Sequence, residues 1–235
     1  LEFRRVLFRS DAQKEVAVEP DDLWAQPEHA HYPSWRSAPD PAAVTAAADA
    51  ILSAKQPLFV CGGGVVIAGA ERALAAVAER LNAPIATTIS GQGSVADDHP
   101  LCVGVVGSNG GTVPTRAVVE QADLVVFIGC RAGSVTTERW RFPTKGMRIV
   151  HIDADPMVIG AIYRTEVALV SDAKLALEAL DAELARHAPR IRRGRGDELA
   201  RTARRDKFDA FDRLAASGET QVLPERLVSD MRAVL

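Results

Sequence analysis

Three consecutive glycines, Gly62, Gly63 and Gly64, follow the apolar run LFVC, and an alanine-rich amphipathic segment follows them. Such a run can present backbone N–H groups to a phosphate at the start of a helix, or it can simply turn a strand into a helix. Glycines recur at the ends of later apolar runs: Gly91 and Gly93, Gly104 and Gly107, then Gly129. Arg131, two residues after Gly129, is the side chain best suited to a phosphate or pyrophosphate, because a guanidinium binds such groups through two parallel hydrogen bonds. Asp153 and Asp155 in IDADP close another apolar run. There an acidic side chain can accept from ribose hydroxyls, while Asp155 serves equally well as the N-cap of a helix opening at Pro156. The glycines do not spell GxGxxG, and no P-loop, GxSxG or HExxH occurs.

The remaining chemistry-bearing residues are sparse. Cys61, Cys102 and Cys130 are far apart in apolar surroundings without CxxC spacing, and read as free buried thiols of a reducing compartment. His29 and His31 have no partner ligands at metal spacing. No catalytic residue and no metal ligand is expected in this chain.

These loops need a frame to hold them at one edge. Runs at 58–62, 84–89, 102–106, 124–129, 148–153 and 167–171 are largely apolar without strict alternation, and helical patterns near 68–82, 112–121, 156–162 and 172–187 lie between or after them. Continuous apolar strands joined by helical crossovers predict an α/β fold, a doubly wound six-stranded parallel sheet with helices on both faces. Asp40 and Pro41 open a preceding helix running to about Ala54.

With 31 acidic against 28 basic side chains in 235 residues, nothing favours nucleic acid or an anionic membrane, and the apolar runs are too short to span a bilayer. The expected location is cytoplasmic. The chain begins with Leu, and LEFRRVLFRS is more basic than the residues after it, so the first ten residues read as a non-native start or as the edge of a truncated gene. After Pro189 the basic cluster of Arg190, Arg192, Arg193 and Arg195 reads as a solvated linker, followed by a surface helix and by a final helix from Pro224.

In combination, QPLFVCGGGV, LNAPIATTISGQGSVADDHPLCVGVVG, QADLVVFIGCR, RIVHIDADPMVIG and SDAKLALEAL resemble, in order, the central domain of the thiamine-diphosphate-dependent enzymes of the acetolactate synthase and pyruvate oxidase type. The resemblance implies a division into 1–39, with the end of an N-terminal pyrimidine-binding domain and a linker, and 40–187, the central α/β domain. It places a linker and surface helix at 188–222, and the truncated start of a C-terminal pyrophosphate-binding domain at 223–235.

In such enzymes the activating glutamate and the Mg²⁺-binding GDG…N motif lie in the outer domains. The resemblance therefore implies a fragment of a thiamine-diphosphate- and Mg-dependent 2-oxo acid decarboxylase or carboligase, homodimeric or homotetrameric, and catalytically incomplete alone. The central domain of some relatives holds FAD, that of others ADP or part of coenzyme A, and that of many nothing. Carried over, the contacting positions are Gly62, Gly63, Gly64; Thr88, Ile89, Ser90 and Gly91; Val103 to Gly107, including Gly104; Gly129 to Arg131; Asp153 to Asp155; and Ser171, Asp172 and Ala173. FAD-binding members resemble MHG where this chain has Val105, Val106 and Gly107, and RFDDR where it has Arg131 to Val135, so several polar contacts to a flavin are lost. A stand-alone nucleotide-binding or assembly module remains the alternative.

Overall fold

A computed structural model describes Pro27 and residues 33–234; the chain divides after Trp35, and the elements below belong to the unit Arg36–Leu235. Most of residues 1–39, including the non-native start and the end of a preceding domain expected there, lie outside the described residues.

The first helix, α1, is Pro41–Ser53. Asp40 caps it as expected, its Oδ1 accepting from the N–H groups of Ala42 at 2.7 Å and Ala43 at 3.1 Å, while Pro41 sits at the first helical position, where no N–H is needed. Six strands come after it: β1 Pro57–Cys61, β2 Ile85–Thr87, β3 Cys102–Val105, β4 Leu124–Ile128, β5 Arg148–Asp153 and β6 Val167–Val170. The further helices are α2 Gly63–Ala68, α3 Glu71–Leu81, α4 Val113–Gln121, α5 Ala173–Arg186, α6 Gly196–Ala215 and α7 Pro224–Val234. Every strand pair is parallel, in the order β3-β2-β1-β4-β5-β6. The winding reverses between β1 and β4, which is where an open parallel sheet leaves a crevice at its carboxyl edge.

Side chains alternate between two cores. Phe59, Cys61, Val126, Ile128, Val150 and Ile152 point to the face covered by α1, α3 and α5. Leu58, Val60, Val125, Phe127 and Ile149 point to the other, against Val118 and Val119 of α4 and Leu199, Ala200 and Ala203 of α6. Burial of each large apolar side chain contributes roughly 1.5–3 kcal/mol, which is why the central strands β1 and β4 carry no polar residue. The helix α6 is therefore more than a surface element: its first half is part of the second core.

The helix expected near 68–82 is α3, which begins at Glu71; the short α2 before it was not expected, and it ends where Gly69 takes φ +61°. One local expectation is corrected. The expected helix at 156–162 is a series of turns, in which Asp155 accepts from the N–H of Met157 at 2.9 Å and Gly160 takes φ +74°, so a cap-like start is not continued. Beneath β5 and β6 the second face is thus covered not by a helix but by the irregular segment 130–147 and Tyr163, whose ring lies 6.2 Å from that of Phe127.

Candidate functional site

The carboxyl edge collects most of the residues singled out by type. Gly62 caps α2 in extended conformation, φ −98° and ψ −176°, and its N–H donates to the carbonyl of Ile128 at 2.8 Å. Gly64 donates to the carbonyl of Gly129 at 3.1 Å, and Gly129 in turn donates to Ile152 at 2.8 Å. The loops after β1 and β4 are in direct backbone contact. A Cβ on Gly62 would run into the Gly129 carbonyl oxygen and lie 2.8 Å from Cys130 Cα; one on Gly64 would lie 2.6 Å from Gly129 Cα. Gly129 also has φ +55°, a conformation in which a Cβ is strained. The three glycines therefore form a close-packed joint across the topological switch point, and the N–H groups of Gly62 and Gly64 are spent on that joint.

The neighbouring positions are also committed internally. Thr88 donates its N–H to the Cys61 carbonyl at 2.8 Å and its Oγ1 accepts from Gly91 N–H at 3.1 Å, closing a 3₁₀ turn at Ile89–Gly91. Ile89 and Ser90 are exposed, and the Ser90 carbonyl faces Gly63. Gly104 belongs to β3 rather than a loop: Ile85 pairs with Cys102 and Ala86 with Gly104, so the strand bulges there, and φ is +98°. Gly107 packs on the backbone of Val135 and Thr136, and Ser108 N–H donates to Val135 at 2.8 Å. The two segments in which flavin binders resemble MHG and RFDDR thus touch each other here.

The carboxylates serve the backbone as well. Asp153 accepts from Asp155 N–H at 3.0 Å, and Asp155 from Met157. Asp172 caps α5 through Oδ1, accepting from Lys174 at 3.0 Å and Leu175 at 3.1 Å, while Oδ2 pairs with Arg36 at 2.8 Å. Its side chain is only 7% exposed, so this double role accounts for both oxygens. Arg131 is exposed and its side chain has no ion-pair or hydrogen-bond partner among the described residues, so it is available to an incoming anion.

Some of the strongest local interactions carried no sequence signal. His151 is buried beside Phe127, its ring centroid 5.6 Å away, and its Nε2–H donates to the Cys130 carbonyl at 2.8 Å. Burial lowers its pKa, so the neutral ring fixes the loop after β4. Arg116 of α4 pairs with Glu138 through contacts of 2.9 and 2.7 Å, at the start of three consecutive non-glycine residues with positive φ, Glu138, Arg139 and Trp140. Below them Gly107, Thr112, Phe127 and Phe142 help line a cavity of about 20 Å³, enough for roughly one water.

These surroundings limit the chemistry. Burial raises the thiol of Cys61 and pushes that of Cys130 up to about 11, so neither supplies a thiolate at neutral pH. No group of three His, Cys, Asp or Glu side chains that could hold a metal is present among the described residues. For FAD, the available residues fit poorly: the acids and two of the three glycine N–H groups are engaged, and exposed Ile89 and Val135 offer apolar surface.

The sequence matches the family described as "Thiamine pyrophosphate enzyme, central domain" over residues 44–180. A probable acetolactate synthase large subunit of Methanococcus aeolicus is 39% identical over 135 residues, which cover 57% of this chain and 22% of that protein. A probable 2-ketoarginine decarboxylase of Pseudomonas aeruginosa is 35% identical over 169 residues, 72% of this chain and 28% of that protein. The crystal structure of benzoylformate decarboxylase from Polynucleobacter necessarius superimposes with a TM-score of 0.52 at 28% identity, over 69% of this chain and 31% of that one. The chain thus spans about a fifth to a third of the length of these proteins. The doubly wound sheet and the ordered loops are accounted for together: this chain belongs to the thiamine pyrophosphate enzymes, and residues 44–180 are that family's central domain.

Proposed function

We propose that this chain is the central, architectural part of a thiamine-diphosphate- and Mg-dependent 2-oxo acid decarboxylase or carboligase of the acetolactate synthase kind, working in the cytoplasm as a homodimer or homotetramer. The observation that carries this reading is the internally bonded carboxyl edge: Gly62, Gly64, Asp153 and Asp172 bind their own backbone or Arg36. Thiamine diphosphate, when bound to the whole protein, would supply a nucleophilic carbon for a 2-oxo group and a thiazolium ring as electron sink. The task of the residues described here is to hold a rigid sheet between the parts that do that chemistry. The named relatives are a synthase and two decarboxylases, which supports a 2-oxo acid as the substrate class.

The test is turnover. The product of the complete reading frame, supplied with thiamine diphosphate and Mg²⁺, is expected to release CO₂ from at least one member of a panel of 2-oxo acids. Absence of turnover across the panel, with the protein folded and the cofactor bound, overturns the proposal.

A further inference from the structure

The opposite end of the sheet carries a feature that the central-domain role does not use. A groove of about 790 Å³ runs at the amino ends of β5 and β6, between the segment 140–149 and the segment 162–166. Its apolar lining includes Met147, Ile149, Ile162 and the ring of Tyr163, whose hydroxyl donates to the Phe142 carbonyl at 3.3 Å. Trp140 stands at its rim, 58% exposed, at the end of the three-residue left-handed turn. That turn is anchored by Glu138 to Arg116 and by Trp140 N–H to Thr137 Oγ1 at 3.1 Å, so the indole is presented from a fixed backbone.

The charge around this groove is one-sided. Residues 138–148 and 162–166 contain the cations Arg139, Arg141, Lys145, Arg148 and Arg164 and only two acids, Glu138 and Glu166. Both acids are already paired, Glu138 with Arg116 and Glu166 with Arg148. Arg139, Arg141, Lys145 and Arg164 have no ion pair or side-chain hydrogen bond among the described residues. Lys145 lines one wall and Arg164 the other, while Arg139 and Arg141 flank Trp140 along the chain. Unpaired cations on both walls of a concavity focus a positive potential into it. The volume falls in the range that encloses a small organic ligand, roughly 300–1,000 Å³. A flat apolar rim beside bidentate donors suits a molecule with both a ring and a multiply charged anionic group.

We infer that the groove between Trp140, Lys145 and Arg164 binds a small aromatic phosphate, with its ring against Trp140 and its phosphate between the two cationic walls. The site lies at the amino edge, so it is separate from the glycine loops and independent of the proposed reaction.

The probe is 1-naphthyl phosphate, titrated into the 235-residue chain by calorimetry and by quenching of tryptophan fluorescence, with inorganic phosphate and 1-naphthol as partial ligands. Saturable binding that weakens as salt rises is expected, because exposed charge pairs are screened within about 10 Å at 0.1 M salt. Lys145→Ala combined with Arg164→Ala should weaken it about tenfold or more, given the strength of charge-assisted hydrogen bonds. Trp140→Ala should weaken 1-naphthyl phosphate severalfold, abolish most of the quenching, and leave inorganic phosphate unchanged. These side chains are exposed, so the variants should unfold at the temperature of the parent chain. No saturable binding at millimolar probe, or equal affinity in parent and double variant, overturns the assignment.

Discussion

The joint between the loops after β1 and β4 can be tested by one methyl group. Gly62 already has extended dihedrals that alanine adopts without strain, so Gly62→Ala changes contacts alone. Its Cβ would lie 2.8 Å from Cys130 Cα and closer still to the Gly129 carbonyl oxygen, whereas carbon atoms pack at about 3.5–4.0 Å. Relief therefore needs a backbone shift of roughly an ångström between two central strands. Overpacking of this kind costs about 1–3 kcal/mol, and the absence of any yielding side chain puts this case near the upper end. In a domain of this size that corresponds to a fall in Tm of roughly 4–12 °C. Gly133→Ala is the control, because nothing lies within 4 Å of its added Cβ and its φ is ordinary. It should be neutral or stabilising by up to about 1 kcal/mol through the unfolded chain. The two variants are compared by urea unfolding and calorimetry. Equal stability would show that the two loops do not touch in solution and that Gly62–Gly64 are free to receive a phosphate.

Asp172→Ala should destabilise by about 2 kcal/mol, combining a lost helix cap with the lost Arg36 pair, whereas Asp172→Asn keeps the cap and should lose no more than about 1 kcal/mol, as read by denaturant midpoints. His151 is lowered from its ordinary 6.5 by burial, so its contribution is complete above that value and is lost as pH falls through the folded-state pKa. Stability curves between pH 7 and pH 5 should therefore be flatter for His151→Phe than for the parent, with the ring resonance titrating below pH 6.5. Cys61, Cys102 and Cys130 are buried, with all three thiols raised chiefly by burial, so Ellman's reagent should find none reactive in minutes at pH 8, and all three after unfolding.

The strands and their direction were legible because burial on both faces leaves no polar residue inside LFVC, LVVFI or IVHI except a histidine. The helix cap at Asp40 is a local side-chain-to-backbone bond, which needs only a few residues to form. The placing of Arg131 and the glycines at one edge came from strand ends alone. What the sequence could not disclose was whether these groups face outward, since Asp172 as ligand and Asp172 as cap have the same neighbours in the chain. The missing helix at 156–162 turned on Gly160 adopting positive φ, and the left-handed turn at 138–140 depends on Arg116, distant in sequence. Contacts of that range have no periodic signature.

The most direct measurement of whether the carboxyl edge is scaffold or cofactor grip is calorimetric titration of the chain with FAD, alongside the visible spectrum of the purified complete gene product. No saturable heat and no visible band of bound flavin are expected, because the acids are engaged within their own loops and Gly62 and Gly64 are bonded to their neighbours. Stoichiometric flavin, displaced by Arg131→Ala, would contradict the account and restore the glycine loops as a nucleotide site.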